Sequence, residues 1–402
     1  MSPAKATNPG VPFICRSTSR SDELAQGLSF EDAAAVWEAR DEHSGATGVF
    51  EAVQHSDLVE QRGCNKPIIF RKLERAYGPH GMGVLLVTRM PPEFVALRRK
   101  LLFLAEQVAN LPEAVQHSLE DPESAYSFGY SCGKEALEDG KPDSNKVSYY
   151  ANPQHNTITQ DAKLRKRYSG YCRDNIWPTQ ALPELETTFQ RMGELIIQVG
   201  MQLAGHIDQY LAFKGGTGVQ EGGLRGILAR SSCHKGRLLH YKPLQEPTSR
   251  EELQKWCGRH TDHGSLTGLL SAMFMQGGQE VRNPDSSSGL HILDRSGYPH
   301  RVAIPPDGLA FQMGEASQVH SGGLLQATPH YVQAADAVGV SRNTFAVFMQ
   351  PRWDEPMAMP EGADAASVGI GQWRPGLSFG EFADLTVQGF LHDSHAGTHH
   401  AA

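Results

Sequence analysis

His260-Thr-Asp-His-Gly-Ser-Leu-Thr-Gly-Leu-Leu270 is the stretch on which the fold turns. Its first half offers two metal-ligating side chains one residue apart, and its second half runs through Gly264 into an apolar segment that reads as a buried strand. Residues i and i+2 of a strand project from the same face, so His260 and Asp262 can grip one ion at the lip of a β core. The spacing alone is weak evidence, because His55-Ser-Asp57 and His206-Ile-Asp208 repeat it. His206 and Asp208 fall inside a long helical pattern, where residues two apart diverge by about 200° and cannot hold the same ion. His55 and Asp57 lie in a polar, helical N-terminal region with no strand after them, which reads as solvated surface. Context therefore selects the pair at 260 and 262.

Outward from that stretch the pattern on both sides is of short β-type segments separated by Gly, Pro, Asn and Asp turns. They are Leu224–Ala229, Arg237–Tyr241, Leu266–Phe274, Gly289–Leu293, Arg301–Ile304, Leu309–Met313 and Thr344–Met349. Many short strands imply a sandwich, jelly roll or barrel. Upstream, Leu185, Phe189, Met192, Ile196, Val199, Leu203, Ile207 and Tyr210 recur on one helical face and predict a long helix over 185–211 packed against the sheet. Met82–Thr88, with Val84, Leu85, Leu86 and Val87, reads as a buried strand, followed by a helix that Pro91 and Pro92 open and that carries Phe94, Leu97, Leu101, Leu104 and Val108. The first 75 or so residues show short amphipathic patterns, such as Glu31–Arg40. Ser378-Phe-Gly-Glu381 has the form of a capping box, opening a short helix with Phe382, Leu385 and Phe390 inward.

Composition narrows the class. With 402 residues, 39% of them hydrophobic and 20% charged, the chain can bury a full core and is far from the disordered class. The net charge of -8, without a Lys/Arg-rich block, argues against binding a phosphate backbone. No apolar run reaches the ~18 residues that span a bilayer. Six cysteines without CxxC pairs fit a reduced, cytoplasmic chain. Residues 1–21, rich in Ser and Thr and free of acids, echo an organellar import peptide, but a disordered terminus is the simpler reading, as it is for the histidine-containing tail from His392.

Two histidines and one carboxylate make a facial set that leaves positions open on a non-haem Fe(II), and His291, His300, His320 and His330 are the downstream choices for the third ligand. Pro305-Pro-Asp-Gly-Leu309, Gly314-Glu315, His320-Ser-Gly-Gly323 and Gln326-Ala-Thr-Pro-His-Tyr-Val332 resemble the distal-histidine segment of the plant-type 2-oxoglutarate/Fe(II) dioxygenases and isopenicillin N synthase-like enzymes. His260-Thr-Asp262 with Gly264 and Leu266-Thr267 is similar to that family's proximal segment, and Gly83–Thr88, Phe128-Gly-Tyr130, Gly133-Lys-Glu135 and Asn175-Ile-Trp-Pro178 follow its order, so the likeness spans about Met82–Pro351. The resemblance implies His330 as the third ligand.

A dicarboxylic cosubstrate calls for a guanidinium, whose planar fork matches a carboxylate. Ser341-Arg-Asn-Thr-Phe345 resembles the family's Arg-x-Ser element with Thr in place of Ser, so Arg342 and Thr344, on one strand face, are implied to hold the distal carboxylate of 2-oxoglutarate. Tyr241, in Arg237-Leu-Leu-His-Tyr-Lys-Pro243, resembles a further cosubstrate contact, although the inserted Lys242 shifts the register and leaves His240 as the alternative.

The resemblance implies a mixed α and β fold with a double-stranded β-helix (jelly-roll, cupin-like) core. It divides the chain into an extension at 1–75, a helical region at 76–215, an Fe(II)/2-oxoglutarate core at 216–355 and a C-terminal segment at 356–402. It implies an oxidoreductase that uses Fe(II), 2-oxoglutarate and O2 to hydroxylate or desaturate a small organic substrate, with release of succinate and CO2. Neither nucleic acid nor a membrane is an expected partner, and the oligomeric state is left open. Three rivals stand beside it. One is an isopenicillin N synthase-like iron oxidase that omits 2-oxoglutarate. Another is a zinc site built on Cys257, His260 and His263, and the last is a catalytically silent jelly-roll protein. Phe128, Tyr130, Tyr149 and Phe274 are the candidate pocket aromatics.

Overall fold

The computed structural model describes residues 50–59, 66–134, 143–215, 222–246 and 255–386. By internal contacts the chain divides into Met1–Gly48 with Arg62–Pro67, and Val49–Gln61 with Ile68–Ala402; the second unit carries the elements that build the site. The helix expected at Glu31–Arg40 and the C-terminal tail lie outside the described residues.

The strands are β1 (Ala52–Gln54), β2 (Val84–Thr88), β3 (Gly129–Cys132), β4 (Lys146–Ala151), β5 (Lys235–Tyr241), β6 (Lys255–His260), β7 (Leu266–Leu270), β8 (Met273–Gln276), β9 (Gln279–Val281), β10 (Gly289–Leu293), β11 (Pro299–Arg301), β12 (Leu309–Met313), β13 (His330–Gln333) and β14 (Val340–Met349). Ten of them form a sheet in the order β1-β2-β12-β7-β14-β5-β4-β3, with β8 pairing β14 and β9 pairing β8. Four more form the order β11-β10-β13-β6. Pairing in both sheets is antiparallel apart from β1 with β2. The architecture is thus mixed α and β around a large antiparallel sheet. Val84, Leu239 and Ala310 of the large sheet share one buried apolar cluster with Leu290, Ile292 and Val332 of the small one.

The ten residues of β14 are the hinge of this arrangement. One edge pairs with β5 from Arg342 to Phe348, while the other pairs with β8 over Val340–Asn343 and with β7 over Ala346–Met349. The segment expected as one strand over Leu266–Phe274 is therefore two, broken at Ser271 and Ala272. Arg98, from helix α1 (Pro92–Ala109), donates from Nε to Ser271 O (2.8 Å) and from Nη2 to Ala272 O (2.9 Å), meeting the carbonyls that the break leaves without strand partners.

The long helix α2 (Leu185–Phe213) lies against the large sheet with its predicted apolar face buried. The approach is close: a Cβ at Gly268 of β7 would fall 2.3 Å from Ile196 Cγ2, and one at Gly200 would fall 2.3 Å from Met349 Sδ. Glycine at both contacts lets helix and sheet meet there.

Leu224–Ala229 is not a strand. Leu224, Ile227 and Leu228 are buried at spacings of three and one, on one face of helix α3 (Gly223–Arg230). A tertiary cap favours the helix, since the Asp208 carboxylate accepts from Leu224 N (2.7 Å) and Arg225 N (3.0 Å). Arg301 closes β11 and the expected continuation to Ile304 is irregular, whereas β1, β3, β4, β9 and β13 form where the sequence predicts no strand. The capping box is realised: Ser378 N and Oγ donate to Glu381 Oε2 at 2.9 and 2.8 Å, Phe382 is buried and Leu385 is half-buried, while Phe390 lies outside the described residues.

Candidate metal centre and its cavity

His260 ends β6 and His330 begins β13, and the two are register partners across that strand pair. Their rings lie with centroids 4.2 Å apart. Asp262, two residues past His260, turns back between them, with Oδ1 at 3.7 Å from His260 Nε2 and 3.9 Å from His330 Nε2. Ligand atoms from His260, Asp262 and His330 all lie within 4.8 Å of one another, and among the described residues this is the cluster of three such groups able to hold a metal ion.

The donor chemistry fits a divalent metal. The His260 Nδ1 lies 2.9 Å from Gly258 O, so Nδ1 carries a proton and Nε2 is the ring atom that faces the cluster. Thr267 Oγ1 donates to Asp262 Oδ2 at 2.6 Å, which leaves Oδ1 for the ion. Burial pushes the Asp262 carboxyl up, but the His330 and His260 imidazoles and the Thr267 hydroxyl outweigh it and hold it below the usual carboxylate range. Burial, with His260 adding to it, holds His330 down at about 4, so its ring is neutral at pH 7. His260 is drawn up against burial by Cys257, whose Sγ lies 3.9 Å from Nδ1, and by Asp262. A metal would displace that proton on binding.

All three ligands line a cavity of about 450 Å3 that also exposes Arg342, Thr344 and Tyr241. Arg342 and Thr344 share a face of β14, and across the strand pair Arg342 stands opposite Tyr241 of β5. The guanidinium lies over the Tyr241 ring, 5.2 Å from its centroid, and Tyr241 in turn stacks on Trp256 at 5.3 Å. Arg342 is 6% exposed, yet its Nε and Nη1 are buried without a hydrogen-bond partner. Buried donors with nothing to meet them mark a seat for an anion. The register also separates Tyr241 from His240: the His240 Nδ1 bonds Asn343 Oδ1 at 2.8 Å on the opposite face, and His240 is not among the residues lining the cavity.

The remaining histidines go elsewhere. His291 Nδ1 faces Gly289 O at 3.0 Å, His300 Nε2 meets Asp294 at 2.9 Å, and His320 Nε2 meets Pro356 O at 3.1 Å. His206 Nε2 reaches Leu58 O at 3.2 Å, and Asp57 accepts from Gln54 N at 3.1 Å. Cys257, His260 and His263 do not gather round a point, since the His263 ring lies against Phe379 with centroids 5.9 Å apart. Of the four candidate aromatics Phe274 lines the cavity; Tyr149 is buried against Trp177 and Phe189. Two supporting residues went unread: Thr267, which appeared only as part of a motif, and Gln312, whose amide contacts His330 Nδ1. The signal for Gln312 was available, because Leu309-Ala-Phe-Gln-Met313 is otherwise wholly apolar.

No helix among the described residues is long and apolar enough to cross a membrane. No family model and no curated relative matches the sequence. Solved structures do. A 2OG-Fe(II) oxygenase family protein from Caulobacter crescentus aligns over 85% of this chain and 99% of its own, at 18% identity and a TM-score of 0.62. Full-length Neurospora crassa T7H, in complex with α-KG, aligns over 85% and 96%, at 17% identity and 0.61. JOX2, in complex with 2OG, Fe and JA, aligns over 82% of each chain, at 17% identity and 0.57. Across such low identities what is held in common is the fold, which this chain shares with these three proteins.

Proposed function

We propose that this chain is an Fe(II)- and 2-oxoglutarate-dependent oxygenase of the plant-type, isopenicillin N synthase-like lineage, built on a double-stranded β-helix and acting on a small organic substrate. One observation carries the reading: two imidazoles and a carboxylate converge on the wall of a cavity that also holds a buried arginine with unmet donors. That is the donor set of a non-haem Fe(II) site beside the seat of a dicarboxylate.

Bound iron and 2-oxoglutarate, with O2, would supply the oxidising power, yielding succinate, CO2 and an oxidised substrate. The chain's own residues do the rest. His260, Asp262 and His330 would hold the metal. Arg342 takes the distal carboxylate in a site where burial strengthens the charge-assisted bond, Thr344, whose Oγ1 donates at 3.3 Å to Leu270 O and would turn from it to reach the carboxylate, stands on the same strand face, and Tyr241 supports the guanidinium from beneath. The walls at Leu269, Phe274, Leu290, Val302 and Ile304 are apolar, which favours a substrate with an apolar body, small enough for about 450 Å3.

The test is binding and turnover of 2-oxoglutarate by the iron-loaded protein, followed as succinate and CO2 release with and without candidate small molecules. Saturable 2-oxoglutarate binding that requires Fe(II) and is weakened roughly 10- to 100-fold in Arg342→Met supports the reading. Tight Fe(II) with no 2-oxoglutarate binding at millimolar concentration overturns it in favour of the cosubstrate-free oxidase.

A further inference from the structure

Gln312 of β12 and Thr267 of β7 are direct register partners across one strand pair of the large sheet. Both are buried, at 0% and 1% exposure, and each touches a different member of the His260–Asp262–His330 cluster. Thr267 Oγ1 donates to Asp262 Oδ2 at 2.6 Å. The Gln312 amide lies against His330 Nδ1, although His330 belongs to the other sheet.

The atoms that face one another across the cluster are Asp262 Oδ1 and the Nε2 atoms of both histidines. An imidazole presents a lone pair at Nε2 only when its proton is on Nδ1, and that proton needs an acceptor. His260 has one in Gly258 O, at 2.9 Å. For His330 the backbone offers Thr328 O at 3.4 Å, the long end of a hydrogen bond. Gln312 presents Nε2, a donor, to the ring and, at a long 3.4 Å, to Thr328 O, the one bond a turned amide gives up, while its Oε1 is buried without a partner. A half-turn of the amide exchanges the two atoms. The orphaned acceptor then meets the ring N–H, and the metal-binding tautomer of His330 is the one selected.

We infer that Gln312 and Thr267 form a cross-strand bracket that sets the two buried ligands for the metal, Gln312 by fixing the tautomer and ring orientation of His330, and Thr267 by occupying Asp262 Oδ2 so that Oδ1 is the ligand oxygen. Both are positioning residues, acting through the ligands they touch, and the inference rests on the metal reading of the site. A purely structural role for Gln312 is the alternative. It would explain burial of the amide in an apolar strand but not the pairing of an acceptor without a donor and a ring nitrogen whose proton lacks a close acceptor.

The experiment is anaerobic titration of the full chain with Co(II) and with Fe(II), reading affinity by calorimetry and the visible absorption of bound Co(II), alongside thermal melting without metal. Gln312→Met, which keeps length and removes the acceptor, is expected to weaken Co(II) binding by roughly 10- to 100-fold and to alter its absorption bands. Gln312→Glu, which keeps an acceptor, restores both. Thr267→Val weakens binding and Thr267→Ser retains it, a second pair that stands should Gln312→Met fail to fold. Wild-type affinity and unchanged Co(II) bands in folded Gln312→Met and Thr267→Val would overturn the bracket while leaving the metal site intact. A wild-type chain that binds neither metal would remove the site itself, and the bracket with it.

Discussion

His206-Ile-Asp208 and His260-Thr-Asp262 are the same word written in two places, and the fold reads them in opposite ways. On α2 the two side chains part: His206 Nε2 turns to Leu58 O, and the Asp208 carboxylate caps the first turn of α3. Past the end of β6 they close on one point, and His330 arrives from the neighbouring strand to complete it. A ligand motif is thus a statement about direction as well as identity. What supplies direction is the secondary structure under it, which the apolar pattern after Gly264 reveals and the dipeptide spacing does not.

The largest expected contrast between the two pairs is in metal binding. Asp262→Ala and His330→Ala should abolish stoichiometric Fe(II) binding, measured by metal analysis after desalting, whereas Asp208→Ala should bind as the unaltered chain does. Iron retained by Asp262→Ala would break the comparison outright.

Next comes the proposed anion seat at Arg342, beside the second pair. Removing the Arg342 fork in Arg342→Met should weaken 2-oxoglutarate binding by about 1.5–3 kcal/mol, roughly 10- to 100-fold. Because burial disfavours the uncompensated guanidinium, the same variant should melt higher than the parent in the absence of ligand, by about 1 kcal/mol or more. Lower stability without ligand would mean that the contact with Tyr241 outweighs the cost of burying the guanidinium.

Histidines buried away from any metal sharpen the picture through pH. His234 is 2% exposed, its Nδ1 accepts from Gln350 N at 3.2 Å, and burial holds it at about 4. Above pH 6.5 it is neutral folded or unfolded and makes no pH-dependent contribution. Between pH 6.5 and about 4 the unfolded chain takes up a proton that the folded chain refuses, so stability falls as pH falls, and below about 4 the loss is complete. The full loss approaches about 3 kcal/mol, and denaturant melts of His234→Gln should show a shallower acid slope than the parent. An unchanged slope would show that His234 is protonated in the folded state.

Smallest is the other half of the helical pair. Asp208→Asn, with a weaker acceptor over the first turn of α3, should cost about 0.5–1 kcal/mol in chemical denaturation and nothing in metal affinity. A loss several times larger would show that the cap holds more than one helix in place.

How far the sequence carries this picture depends on distance along the chain. Local periodicity was enough for α2, β5, β10 and β12, and for the capping box at Ser378, because each is written in its own residues. Leu224–Ala229 misled because its cap comes from Asp208 on another helix. The break at Ser271 and Ala272 was illegible for a similar reason, since the guanidinium that satisfies it is contributed by Arg98. In the site, His260 and Asp262 could be argued from a strand and its face, while the choice of His330 needed the family likeness, and Tyr241 over His240 needed the register with Arg342. Gln312 shows what a close reading can still miss: one amide in an apolar strand is a burial that only a partner from elsewhere explains.

Part of the cavity lining comes from edge hairpins outside the His260–Asp262–His330 cluster. Val281, Arg282 and Asn283 follow from the β8–β9 hairpin and Arg301 and Val302 from the β10–β11 hairpin, and among the described strands β9 bonds only β8 and β11 only β10. Exchanges at these outer positions can therefore recast what the chamber admits while the inner ligands stay as they are. For anyone wishing to redirect the protein by directed evolution, residues 279–283 and 299–304 are the place to randomise, and the strands behind them the place to leave alone.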